Sequence, residues 1–457
     1  MCDVPGVTRM LMDAVLERFI AHSPMAVAVR GAFEYALNPT SLDDLFVRTA
    51  GHRGDRELLF STCVDLMATV VCRVKPSVHA AYQADDHIPV HVTAVYARLA
   101  RVPATAGRDL VRHTADRLGP VIRAMGGAEP DPLPGYRVKV LDGNYLGKTQ
   151  RRLKPLRDVV AGPLPGQTLV VLDPALGLAI DVVCREDGHA QERSLLGPVL
   201  DTVAANDVWV ADRNFCTTGF LFGIAGRKAF FVIRRHASTL RWERESEWTP
   251  AGRTDTGTLD EQTIWPTEPG GTELAVRRVR LTLDHPTRDR DGVIEVLTNL
   301  PAVVAESYRG RWSVEGLFLR LTTVLQCEVN TLGYPPAALF GFRVALAAGN
   351  VYAAVKGALR AAHGSAVADG VSDYHLALEV SGACPGLGIA IPARTWVEIG
   401  GWSVGQMAEW LEGLARGANL GRYRKATRGP KKPKPPRTRF PDAKHIATAR
   451  LLNGEQK

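Results

Sequence analysis

The chain has 457 residues, 46% of them hydrophobic and 23% charged, and its formal net charge is +8. This composition excludes a wholly disordered protein, and the length allows two to four domains. The most apolar predicted helix, 337–359, is interrupted by Arg343, Asn350 and Lys356, and no basic region followed by an apolar run opens the chain. We therefore expect neither a membrane span nor a signal peptide. Seven cysteines without a C-x2-C pair indicate reduced thiols in a bacterial cytoplasm.

The first predicted elements are helices in an N-terminal region, 1–125. Apolar periodicity indicates helices over 9–20, 56–74 and 107–125, and none of them forms a clear helix-turn-helix. The run GGAEPDPLPG that follows is a linker by composition, and it opens the next predicted unit.

An α/β unit is predicted over 126–235, where short apolar segments follow one another as strand, strand, strand, helix, strand, helix, strand. Asp142 is predicted to end the first strand and Asp212 the fourth. If these strands are neighbours, their carboxyl ends meet and bring the two acids together. Taken singly, Asp142-Gly143-Asn144 is typical of a turn and Asp212 of a helix cap.

A charged, β-prone stretch, 236–297, is predicted to form an inserted sheet, and it contains three tryptophans. The next unit, 298–365, is predicted to be helical and contains the string YRGRWSVE. In that string Tyr308, Arg311 and Glu315 are spaced so that they share one face of a helix. A less regular helical region is predicted for 366–420.

Residues 421–457 are predicted to form a basic, proline-rich tail. Ten Lys or Arg residues and one acid lie within 421–444, so that segment carries +9 and the remainder of the chain −1. Proline disfavours a regular helix there and favours an extended arm, which suits a phosphate backbone. A disordered tail that serves only solubility is the alternative.

Three strings taken in order resemble the DDE transposases of the bacterial insertion-sequence-four type: the acid after the first strand, ADRNF around Asp212, and the Tyr308, Arg311 and Glu315 face. The resemblance covers about residues 136–360. It implies an RNase H-like mixed-sheet core interrupted by a β-rich insertion. The chain departs from the family at Thr322, where the family has a lysine seven residues after the glutamate, about 20° from the glutamate's helix face.

The resemblance also implies a site and its partners. Asp142, Asp212 and Glu315 would bind two Mg²⁺ ions, for which Mn²⁺ can substitute. The implied partner is double-stranded DNA, both terminal inverted repeats and target, held by a homodimer in a synaptic complex without any membrane. The N-terminal region would help to bind the DNA ends. The residues expected to contact DNA are Tyr308, Arg311, Lys148, Arg151, Arg152, Arg213 and Trp265.

The function that follows from this resemblance is cut-and-paste transposition, with hydrolysis of phosphodiesters at the transposon ends and then strand transfer by the freed 3′-hydroxyl. A catalytically inactive DNA-binding descendant is the alternative, and Thr322 favours it. A metal-dependent nuclease or phosphatase unrelated to transposition would not explain the insertion, the Tyr-Arg-Glu face and the basic segment together. We expect a cytoplasmic protein that associates with the nucleoid when bound to DNA.

Overall fold

The computed structural model describes residues 14–51, 57–147, 153–157, 163–236, 239–287, 291–301, 318, 321–322, 324–329, 331–425 and 446–454. These residues form a body of helices packed against one face of a mixed sheet, which confirms the predicted α/β class with an RNase H-like mixed sheet.

The N-terminal region supplies more helices than its periodicity predicts. They are α1 (Ala14–His22), α2 (Pro24–Ala36), α3 (Pro39–Ala50), α4 (Phe60–Val71), α5 (Val78–Gln83), α6 (Val92–Leu99) and α7 (Ala104–Ala124). Only α1, α4 and α7 fall within predicted helices. The longest, α7, carries a wide buried stripe and packs against the sheet.

The central sheet is mixed: three neighbouring strands at its centre run parallel, and the strands on either side of them pair antiparallel. Its strands are β1 (Arg137–Leu146), β3 (Gly166–Asp173), β4 (Leu178–Arg185), β5 (Asp207–Ala211), β6 (Phe230–Arg234), β7 (Trp242–Glu245), β8 (Thr249–Thr254), β9 (Gly257–Pro266), β10 (Val276–Leu283) and β11 (Val293–Thr298), while β2 (Pro163–Leu164) lies apart. The order among described residues is β4-β3-β1-β5-β6-β11-β10-β9-β7, with β8 beside β9. Helices α8 (Lys154–Arg157), α9 (Leu196–Leu200) and α10 (Thr218–Gly226) connect strands.

The predicted β-rich insertion is made of strands, and these strands extend the central sheet. β11 pairs antiparallel with β6 through Leu297 and Ile233, and β10 and β9 follow outward. Without β11 the edge of β6 would present unpaired backbone groups, and pairing with β11 satisfies them.

The two faces of the sheet bury different layers. On β1 and β5, Val140 and Val210 pack into the cluster shared with the helical body. Their neighbours Leu141 and Ala211 pack on the opposite face, in the cluster formed with α9 and α10. Because side chains alternate along a strand, the residues after Leu141 and Ala211 point back towards the helical body.

The C-terminal half completes the body with α11 (Pro335–His363), α12 (Ser365–Gly370), α13 (Asp373–Ala390), α14 (Ala393–Gly400) and α15 (Val404–Arg416). By length and composition α11 could cross a membrane, and the helices α13 and α14, bent by 110° at their junction, pass that test only as a pair. The most apolar stretch of α11 is entirely buried within the protein, as in a core helix. Its polar residues are accommodated internally: the Asn350 side chain accepts from Ala179 N at 2.8 Å and donates to Thr114 Oγ1 at 3.0 Å.

Both described ends of the basic C-terminal segment belong to the fold, and the extended arm predicted between them falls on residues 426–445, outside the described residues. On one side Lys425 N donates to Gly370 O at 2.9 Å. On the other, β12 (Ile446–Ala447) pairs with β2 and is followed by α16 (Thr448–Leu452). Arg450 forms an ion pair with Asp187 at 2.8 Å, just beyond the end of β4. The charged stretch 426–445 therefore lies between two anchored points.

Candidate active site

Asp142 and Asp212 lie side by side, as their sequence positions predict. β1 and β5 are parallel neighbours, and their last paired residues are Leu141 and Ala211. Each acid is the next residue of its chain, and alternation directs both towards the helical body. Both residues are half-buried. Asp142 does not end its strand, however, because β1 continues to Leu146 along β3 after β5 has ended.

Neither acid has the ordinary structural role that its local sequence suggests. Asp142, Gly143 and Asn144 pair with β3 instead of forming a turn, and Asp142 Oδ1 accepts from Gly143 N at 2.9 Å. Asp212 precedes a 3-10 turn over 213–215, but its carboxylate makes no capping hydrogen bond. Two carboxylates at adjacent positions of parallel strands repel each other unless positive charge lies beside them.

Glu192 is a third carboxylate at this edge, and the sequence reasoning missed it. It lies in a 3-10 turn after β4, and its Oε2 accepts from Asn214 Nδ2 at 3.3 Å. A Cβ added to Gly143 would overlap its carboxyl group, so glycine permits the close approach. Glu192 therefore contacts the β1 backbone directly beside Asp142 and the turn directly after Asp212.

The electrostatics at Glu192 reflect this crowding. Burial raises its pKa most, the hydrogen bond from Asn214 lowers it, and the charge of Asp212 adds a smaller rise. Burial also raises the pKa of Tyr145, with a contribution from Glu192. The acids at this edge thus interact with one another, which is the condition that a bound cation would relieve.

The oxygen donors at this edge match a hard divalent cation, which prefers carboxylate ligands. Among the residues that the structure describes, no group of three or more His, Cys, Asp or Glu side chains is arranged to hold a metal ion. Glu315 lies outside the described residues, so its placement beside the two aspartates stays a prediction.

The segment that follows Glu315 reaches the expected face of the sheet. Phe318 packs against the hydrophobic cluster that includes Val140 and Val210, and Leu321 is a buried member of it. Those valines precede the two aspartates by two residues, on the same face. The described part of this segment therefore lies on the side of the sheet towards which Asp142 and Asp212 point.

The predicted DNA contacts are only partly described. Tyr308, Arg311, Lys148, Arg151 and Arg152 lie outside the described residues. The structure describes the other two, Arg213 and Trp265, which differ in exposure and in their neighbours.

Arg213 is exposed in the turn directly after Asp212, beside the acids. Trp265 lies on β9 under the guanidinium of Arg244, which is 4.0 Å from the ring centroid. Trp242 and Trp248 flank Arg278, whose guanidinium bonds to Gln262 and Glu295, and both rings are partly exposed, as Trp265 is. Trp265 keeps a partly exposed ring beside a cation.

Part of the chain is similar to known transposase sequences. Residues 167–333 match the family model described as the transposase DDE domain, a range that contains Asp212, Glu315 and Thr322 but not Asp142. A Sinorhizobium fredii protein, y4zB, which carries a provisional transposase description, is 31% identical over 121 residues. The match covers 25% of this chain and 33% of y4zB, so the chain spans about a third of the length of this curated relative.

A solved structure, the cryo-EM structure of the piggyBac transposase synaptic complex with hairpin DNA, aligns over 87% of this chain and 77% of its own. Its sequence identity is 12% and its TM-score 0.35, a level that does not establish a shared fold.

Proposed function

Because residues 167–333 carry a transposase DDE domain, we propose that the chain is a DNA transposase of the insertion-sequence-four type that cuts its element from DNA and inserts it elsewhere. The observation that carries this proposal is the juxtaposition of Asp142 and Asp212 at adjacent positions of parallel strands. The first acid lies outside the matched range, and the fold brings it to the second.

The residues of this chain have distinct parts in the proposed reaction. Asp142, Asp212 and Glu315 would hold divalent cations, Mg²⁺ or Mn²⁺. A bound pair of such ions activates the attacking oxygen and stabilises the leaving oxygen of an in-line displacement. Water serves as the nucleophile at the element's ends, and the freed 3′-hydroxyl serves next on the target. Glu192, held by Asn214, fixes the turn after Asp212 against β1.

Double-stranded DNA is the proposed partner, bound as two ends by a homodimer. Arg213 lies beside the acids and would contact a phosphate, as would Tyr308 and Arg311. The basic stretch 426–445 adds affinity that does not depend on sequence. Its anchor at Arg450 and Asp187 lies at the carboxyl end of β4, the same edge of the sheet as the acids, because β4 and β1 run in the same direction.

The test is cleavage of duplex DNA taken from the sequences flanking the gene. Asp142→Ala, Asp212→Ala and Glu315→Ala should each abolish Mg²⁺-dependent strand cleavage while binding of the same duplex stays within about twofold, because phosphate contacts elsewhere supply the affinity. Asp201→Ala is the control, since Asp201 is an exposed acid at the opposite edge of the sheet.

Cleavage at the wild-type rate by any of the three variants would remove that residue from the site. If the wild-type chain binds the duplex but does not cut it in Mg²⁺ or Mn²⁺, the inactive DNA-binding descendant is the better description.

A further inference from the structure

Arg73 occupies a backbone position that favours glycine. It follows α4 in a Schellman motif, in which Arg73 N donates to Val70 O and Val74 N to Thr69 O, both at 3.0 Å. Its φ is +60°, in the left-handed region, where a side chain costs energy that glycine avoids. A strained non-glycine residue is a reason to ask what its side chain does.

The Arg73 side chain reaches the segment that follows Glu315. Its Nη2 lies 3.5 Å from the carbonyl oxygen of Thr322, and Gln326 N donates to Val71 O at 2.8 Å, so α4 is joined to this segment beside the arginine. Arg73 and Thr322 are both exposed. The long bond occupies one of the five N–H donors of the guanidinium.

Thr322 presents no charge at this surface. Its hydroxyl donates to Phe318 O at 3.0 Å, one helical turn back. If the helix that the sequence predicts over Glu315 continues to Thr322, the two positions differ by about 20° and share one side of that helix. Arg73, from the helical body, brings a guanidinium to the Thr322 carbonyl oxygen.

We propose that Arg73 is a DNA-phosphate contact, delivered by the N-terminal helical body to the surface beside Thr322. A guanidinium binds a phosphate oxygen pair through two parallel N–H donors, which a flexible point charge does not do as well. The strained conformation directs the side chain out of the end of α4 and towards residue 322. This inference rests on the proposed function, since it requires DNA at the acid site.

Lys228 provides a matched control. It ends α10 in the same motif, with Lys228 N bonded to Ala225 O and Ala229 N to Ile224 O, and its φ is +59°. It is also basic and exposed. It lies at the opposite edge of the sheet from the acids, where its carbonyl accepts from Asn206 N at the start of β5.

The first experiment compares Arg73→Gly with Lys228→Gly. Both substitutions relieve the left-handed strain, so the thermal unfolding midpoint of each should equal or exceed that of wild type. Binding to a labelled mixed-sequence duplex of about 30 base pairs is then measured against salt. Arg73→Gly should weaken binding about tenfold at low salt and reduce the slope of log affinity against log salt by about 1. Lys228→Gly should change neither.

The second experiment tests whether a cation at residue 322 can replace the guanidinium of Arg73. If Arg73 supplies the cation at this surface, Thr322→Lys should restore the affinity lost in Arg73→Gly to within about twofold, yet add little to wild type, because one phosphate is already contacted. Equal gains in both backgrounds would mean that the two positions bind independently, and that result would overturn the proposal.

The outcomes separate this inference from the function on which it rests. If the wild-type chain shows no salt-dependent binding to the duplex, the transposase proposal fails. If wild type binds and Arg73→Gly binds with the same affinity and salt slope, only the role of Arg73 is refuted. A lower unfolding midpoint for Arg73→Gly with unchanged binding would make Arg73 a structural contact between α4 and the Thr322 carbonyl.

Discussion

A buried ion pair ties together the two strands that carry the aspartates. Lys139 Nζ lies 2.6 Å from Asp207 Oδ2, and their side chains are only 5% and 2% exposed. Lys139 also donates to Thr202 O at 3.0 Å and lies 5.0 Å from the Trp209 ring centroid. Asp207 Oδ2 accepts a second bond, from Ala204 N at 2.8 Å.

Replacing Lys139 by methionine should therefore cost more than one hydrogen bond. The hydrocarbon stem can still pack on Trp209, but the Asp207 carboxylate is left buried with one backbone donor. Removal of one partner from a buried pair costs about 3–5 kcal/mol. In the double variant Lys139→Met with Asp207→Asn, the amide oxygen can still accept from Ala204 N and the charge is gone, so about half of that loss should return.

Urea unfolding followed by circular dichroism measures both free energies. The single variant should lower the midpoint strongly, and the double variant should lie between it and wild type. A wild-type midpoint for Lys139→Met, or a double variant no more stable than the single, would refute the reasoning that an unpaired buried charge dominates the cost.

Three further outcomes can be measured on purified protein. Glu192→Gln should raise the thermal unfolding midpoint at pH 7 but not at pH 4. Burial raises the pKa of Glu192, so only its ionised form lowers the stability of the folded protein. An equal rise of the midpoint at both pH values would exclude this cause. Burial raises the pKa of Asp181, but hydrogen bonds from Arg108 and Arg112 outweigh burial, so the pKa is lowered and the stabilisation is lost as pH falls below about 4. Asp181→Asn should therefore make the unfolding free energy depend less on pH in that range, and an unchanged pH dependence would contradict this cause. Asn350→Leu should destabilise by about 3 kcal/mol in urea, since two buried backbone groups of β4 lose their partner; a loss below about 1 kcal/mol would mean that β4 finds other partners.

The succession of strands and helices around the acids could be predicted from the sequence because the strands are short and apolar, whereas the pairing of the two acid-bearing strands followed from the family resemblance. Three N-terminal helices could not be predicted. α2 is buried over nearly its whole surface, so it shows no amphipathic period, and α5 and α6 are too short for a period to be read. α3 is amphipathic and of moderate length, so its period is readable in the sequence.

The residues of the candidate site also differ in whether the sequence predicts them. Asp142 and Asp212 could be predicted as candidates because each directly follows a short apolar stretch, which is a local feature, although β1 continues past Asp142. Glu192 and Arg73 could not, because their importance comes from contacts with Gly143 and Thr322, at sequence separations that no motif connects. The anchored end of the basic segment could not be predicted because two paired residues, Ile446 and Ala447, leave no readable strand pattern.

Asp142 and Asp212 have unequal freedom to move. Asp142 has paired residues on both sides of it along β3, whereas Asp212 lies beyond the last pair of β5 and leads into the turn over 213–215. Mg²⁺ requires oxygen ligands at about 2.0–2.1 Å and Ca²⁺ at about 2.3–2.6 Å, so exchanging one ion for the other demands a different spacing between carboxylates. That adjustment falls on Asp212 and its turn. Because Asn214 in that turn holds Glu192, the size of the bound ion would be transmitted to the far face of the sheet while β1 stays in place.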